Sequence, residues 1–188
     1  MKNTALALIL TCTATAAGAI DIPVAAREYV EARMPVWRAD PMLIAAVQAQ
    51  NAAHASLTDA AILDRDAKWR AEVGQSDQPT IKPVLTNDAA QRLRAWVHEA
   101  GGTVAEIFLM DNRGLNVAVA EVTSDYWQGD EEKFTATYPV GADAVHVSEV
   151  DFDESSQLFE IQISFTITDA TGAPIGAMTV ALNAEALD

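Results

Sequence analysis

The sequence predicts an α+β fold, with N-terminal helices packed on a five-stranded, largely antiparallel sheet. Three observations predict it. Up to Gly102 the apolar residues recur at a helical period between recognisable helix caps. Beyond Gly102 the pattern changes to two-residue alternation, the period of a half-buried strand. Two pairs of alternating segments are joined by the same form, Asp-x-x-Gly ("DNRG" and "DATG"), which suits a type I turn closed by a glycine at positive φ. Helices first and strands afterwards define an α+β arrangement.

The elements follow in order. "AAREYVEARM" is rich in good helix formers and is expected to halt at Pro35. Asp40 before Pro41 is an N-cap followed by proline at the first helical position, and opens "PMLIAAVQAQNAAHA". "SLTD" resembles a capping box and opens "AAILDRDAKWRAEV", where Ile62, Leu63 and Trp69 share a face. "GQSDQPTIKP" (residues 74–83) lacks periodicity and reads as a linker. "TNDAAQRLRAWVHEAGG" is a helix capped by Asn87 or Thr86. Its apolar stripe is Ala89, Leu93, Trp96, Val97 and Ala100, and Gly101-Gly102 ends it. The strands are "VAEIFLM", "LNVAVAEV", "AVHVSEVDF", "FEIQISFTIT" and "APIGAMTVAL".

Composition limits the function. The chain has 188 residues and a formal net charge of −15, from 27 acids against 12 bases. Nucleic acid and anionic membranes reward clustered Lys and Arg, so neither is an expected partner. The N-terminus has the form of an export signal, residues 1–19. Lys2 supplies the charge, "ALALIL" the apolar centre, and Ala17 and Ala19 a small-residue cleavage site, with cleavage after Ala16 nearly as good. The apolar run is well short of the ~20 residues that span a bilayer. Cys12 follows Thr11 rather than a small residue, against a lipid anchor. Its removal leaves a mature chain without cysteine, hence no disulfide, thiol nucleophile or cysteine metal site. A periplasmic location is expected, with residues 20–188 as a single domain and no membrane insertion after cleavage.

Catalytic and cofactor motifs are missing: G-x-S-x-G, a phosphate-binding glycine loop and H-E-x-x-H do not occur. No enzyme, cofactor or metal site is expected. "EVDFDESS" lacks calcium-loop spacing and reads as a solvated acidic turn. His98 sits where a helix dipole accounts for it, and nothing in the sequence ties His54 to an acid. Glu106 and Glu160 are loose candidates for the buried acid of a cone-fold (ketosteroid-isomerase-like) enzyme, and alternation allows either to face in or out.

Three stretches resemble the Cache family of PAS-like extracytoplasmic sensor domains. "IFLMDNRGLNVAVAE" is similar to its first hairpin, and "DYWQGDEEKF" to the aromatic, glycine-containing segment that follows. "AVHVSEVDFDESSQLFEIQISFTITDATGAPIGAMTVALNAEAL" is similar to its closing strands. The resemblance covers residues 104–187 and implies a PAS-like sheet. Residues 20–80 would be a helical region and residues 81–188 a PAS-like helix and sheet. Such domains usually lie between two membrane spans of a kinase or chemoreceptor. Neither a second span nor a signalling module follows here, so a free-standing periplasmic form is implied. It would bind a small organic metabolite, with a membrane receptor or kinase as partner. A protein-interaction subunit regulating a membrane sensor is the alternative.

The resemblance also implies a pocket on the sheet face, covered by the segment after the first hairpin. Tyr126 and Trp127 would form its wall, with Asp125, Lys133 and Tyr138 at the rim, although Trp127 could equally plug the core. Lys133 and His146 are the cations expected to meet a carboxylate, and Arg113, in a tight turn, is expected to be solvated. Alternation points His146 away from Val145 and Val147, to pocket or solvent. Some amine-binding members carry an arginine shortly before the aromatics. "AEVTSDYW" has none, which weighs against an amino-acid ligand.

Overall fold

A computed structural model of the chain describes residues 21–154 and 156–187; the expected export signal, with Cys12, lies outside them. The first two helices are α1 (Ile22–Glu31) and α2 (Met34–Arg38). Pro35 does not halt a helix. It starts α2, where its missing N–H costs nothing. Asp40 caps α3 (Pro41–His54), its carboxylate accepting from the Met42 amide at 2.9 Å. Thr58, not Ser56, caps α4 (Asp59–Glu72), accepting from the Ala61 amide at 3.2 Å. The expected linker ends in a short helix, α5 (Ile81–Thr86). Pro83 sits in its first turn, where proline is tolerated. Asn87 caps α6 (Asp88–Glu99).

The five strands are β1 (Val104–Met110), β2 (Asn116–Val119), β3 (Val145–Asp153), β4 (Leu158–Thr168) and β5 (Pro174–Asn183), in spatial order β2-β1-β5-β4-β3 with every pairing antiparallel. This is the PAS-like α+β sheet the sequence implies. Gly114 and Gly172 close the two Asp-x-x-Gly turns at φ +78° and +85°. A short helix, α7 (Glu132–Thr135), lies between β2 and β3.

Alternation sorts the strand side chains to two faces. Ile107, Leu109, Ile163, Phe165, Val180 and Leu182 pack with residues of α1, α2, α3 and α6, such as Val30, Trp37, Val47 and Leu93. Phe108, Met110, Val119 and Ala177 face the other way, against Trp69 of α4, Ile81 and Val84 of α5, Tyr126, and Phe134 of α7. No described helix is long and apolar enough to cross a membrane.

Two features fix the chain between β2 and α7. The Asp66 carboxylate, buried in α4, accepts the Tyr126 and Trp127 amides at 2.9 and 3.1 Å. Gly114 and Gly129 are packed backbone to backbone: a Cβ on Gly114 would lie 2.6 Å from the Gly129 nitrogen, and one on Gly129 would meet the Trp127 indole and lie 2.6 Å from the Arg113 carbonyl. The turn is also bound to α3. Asp111 is fully buried, and its Oδ1 accepts the Arg113 and Leu115 amides at 2.8 and 3.0 Å. Its Oδ2 meets Gln50 Nε2 and His54 Nδ1, each at 3.0 Å.

Candidate functional site

Strand register places a polar surface on the second face of the sheet. Glu106, Ala181 and Gln162 lie in one cross-strand row, and Phe108, Thr179, Ser164 and His146 in the next. Ala181 is small, so the Glu106–Gln162 row sinks below its neighbours. Lys133, carried by α7, lies over the Phe108 ring at 5.5 Å. The result is a cleft of about 710 Å³ beside a recess of about 220 Å³, sharing Lys133, Asp153 and Gln162.

The electrostatics are acidic. Seven of the thirteen residues lining the larger cleft are Asp or Glu, against Lys133 and His146. Both cations already face acids: Lys133 Nζ is 3.0 Å from Glu131 and His146 Nε2 is 3.4 Å from Glu132. In the smaller recess, the Glu106 carboxyl accepts no hydrogen bond from any described residue. Burial, reinforced by Glu160, pushes it up to about 8, with Lys133 opposing and Asp153 and Glu121 adding to the rise. Burial also raises Glu160, against a hydrogen bond from the Ser156 hydroxyl. Gln128, 1% exposed, lines the same recess, and among the described residues its carbonyl oxygen has no hydrogen-bond partner.

Of the residues singled out in the sequence, Lys133 and His146 line the larger cleft together. Asp125 stands beside the recess. Its carboxylate accepts from Gln128 and, at 3.4 Å, from Arg70. The aromatics are engaged elsewhere. Tyr126 is 4% exposed and stacks on Trp69 with ring centroids 5.4 Å apart. Trp127 donates its indole N–H to the Arg113 carbonyl at 2.8 Å, and Tyr138 stacks on Phe134 at 5.5 Å. Arg113 is partly buried, donating to the Leu57 carbonyl at 3.2 Å and to Asp59 at 2.7 Å. Among the described residues no group of three or more His, Cys, Asp or Glu is arranged to hold a metal ion.

Sequence reasoning missed Gln128, Gln162 and the His54–Asp111 contact. Alternation put Glu106 on a defined strand but could not say which face the covering segment closes. No local pattern marks Gln128 or pairs residues 57 positions apart.

No protein-family model matches the chain, and no curated protein matches it. Solved structures do. The chain is similar to the sensory domain of the Campylobacter jejuni chemoreceptor Tlp3 (CcmL), at TM-score 0.44 and 11% identity, over 88% of this chain and 65% of that one. It is similar to the ligand-binding domain of the Pseudomonas aeruginosa PAO1 amino acid chemoreceptor PctC, in complex with GABA, at TM-score 0.41 and 17% identity, over 67% and 57%. A third is an extracellular ligand-binding receptor from Desulfohalobium retbaense, at TM-score 0.39 and 15% identity, over 77% and 25%. The chain spans less than two thirds of the length of each. Two of these are sensory or ligand-binding domains and the third is a ligand-binding receptor.

Proposed function

We propose that residues 20–188 form a periplasmic sensor-type domain that binds a small organic molecule without transforming it, follow an export signal, and report to a membrane receptor or kinase. The ligand sits on the sheet face under the segment carrying α7, and its anchoring group is a primary ammonium. One observation carries this: among the described residues the Glu106 carboxyl has no hydrogen-bond partner, in a recess beside a cleft lined mostly by acids. A carboxyl held largely out of water without a partner is costly, and a ligand N–H₃⁺ supplies donors and charge at once. The carboxylate ligand expected from the sequence has less support, because Lys133 and His146 both face acids of their own.

A thermal-shift screen of paired amines and carboxylates tests this, since a ligand of the folded state raises Tm. An amine response lost in Glu106→Gln is expected. An amine response that persists in Glu106→Gln, or a carboxylate response that Glu106→Gln abolishes, overturns the ligand class. The docking-subunit reading has its own support: Val150, Phe152 and Phe159 are 41%, 44% and 49% exposed at one end of the β3–β4 pair. A flat screen, with a pull-down that recovers a receptor and is lost in Phe152→Ser, would favour it.

A further inference from the structure

A second cleft, of about 630 Å³, has Tyr126 in its wall and lies between α3, α4, α5 and β2. Its chemistry is opposite to that of the sheet-face site. Arg65 projects from α4 with Ala61 and Lys68 on the same helical face, at i−4 and i+3. Its Nη1 lies 3.2 Å from His54 Nε2. A guanidinium only donates, so Nε2 is the acceptor and Nδ1 carries the proton, which it donates to Asp111 at 3.0 Å. Asp111 is spent on His54, Gln50 and two backbone amides and does not reach Arg65.

Arg65 also lies against the Tyr126 hydroxyl. Burial and then Asp111 push that hydroxyl up to about 12, and Arg65 works the other way. Among the described residues Arg65 has no acidic partner within ion-pair distance, whereas neighbouring Lys68 is paired with Asp64 at 2.7 Å. Arg65 is therefore a positive charge in the cleft without a direct ion-pair partner, its nearest acid, Asp111, standing one residue away behind His54. The lining is mixed: Leu57, Pro79, Pro83, Val84 and Val117 form an apolar part, beside polar Gln50, Thr80 and Asn87.

We propose that this cleft is a second binding site, for a small organic carboxylate with a short apolar tail, anchored by the Arg65 guanidinium. The planar donor fork matches a carboxylate in two parallel hydrogen bonds, and one donor is already fixed by His54, so the group is held in place before the ligand arrives. The apolar walls accept the tail. This site is independent of the ammonium site on the sheet face, and either can fail without the other.

The test is a titration of ¹⁵N-labelled protein with 3-methylbutanoate, followed by NMR of the amides and of arginine Nε–Hε. Parallel titrations use 3-methylbutylamine and inorganic phosphate. Expected are saturable shifts centred on Arg65, Ala61 and Tyr126 at millimolar 3-methylbutanoate, no such shifts with the amine, and weaker ones with phosphate. Arg65→Gln should weaken the carboxylate by at least about ten-fold and Arg65→Lys by less. Shifts centred on Lys133 and Gln162, shifts shared equally by the amine, or none up to ~20 mM overturn the proposal. The wild-type map decides the matter even where Arg65→Gln does not fold.

Discussion

Replacing Glu106 by Gln tests the electrostatics of the sheet-face recess. The side chain keeps its shape and loses its titration. In the unfolded chain a glutamate ionises near 4.5, whereas burial holds the folded Glu106 carboxyl up to about 8. The sign follows from proton counting. Below about pH 4.5 both states are protonated and Glu106 costs nothing. As pH rises toward about 8 the unfolded chain has lost a proton that the folded protein keeps, so stability falls. The span is about 3.5 pH units, worth ~1.4 kcal/mol each, an upper bound of about 5 kcal/mol. Water reaching the partly exposed carboxyl through the recess reduces it, and a cost of ~2–3 kcal/mol at about pH 8 is expected.

Glu106→Gln carries no such cost. Urea unfolding followed by tryptophan fluorescence should find the two proteins within ~1 kcal/mol at about pH 5, with the variant more stable by ~2–3 kcal/mol at about pH 8. A difference that stays flat between those values would mean that Glu106 is ionised in the folded state, paired with Lys133, and the reasoning from its protonation would fail.

Other outcomes follow from the same geometry. An ammonium ligand needs the ionised Glu106, so binding below about pH 8 should release close to one proton and tighten up to ten-fold per pH unit, levelling off above. Calorimetry in two buffers of different ionisation heat measures this, and a proton count of zero would contradict it. Asp66→Ala strips the acceptor from the Tyr126 and Trp127 amides and should cost ~2–4 kcal/mol in urea unfolding, with no compensating gain at any pH. Gly129→Ala places a methyl against the Trp127 indole and the Arg113 carbonyl, and should cost ~2–3 kcal/mol with a red-shifted tryptophan emission. His54→Ala leaves fully buried Asp111 short of a donor, at ~1–3 kcal/mol.

The change of period at Gly102 and the two Asp-x-x-Gly turns were enough to read helices, strands and their hairpins, because those signals are local. Boundaries are less legible around proline: Pro35 reads as a stop and Pro83 as the end of a linker. Both sit in first turns, where the ring fits the helix. What Tyr126 and Trp127 touch depends on Asp66, 60 and 61 residues away, and on Arg113, and no periodicity encodes such distances. Glu106 was visible only as an acid among apolar strand residues. Its meaning came from register, which set it in a row with Ala181 and Gln162 beneath Lys133.

The back-to-back glycines at 114 and 129 also have a mechanical consequence. They clamp one end of the segment that roofs the recess onto the first hairpin, while Phe134 of α7 seats its other end in the core. A guest that presses on the segment loads the glycine clamp, and the clamp is the same turn that Asp111 ties to Gln50 and His54 of α3. Strain raised on one face of the sheet is thereby delivered to a helix packed on the other.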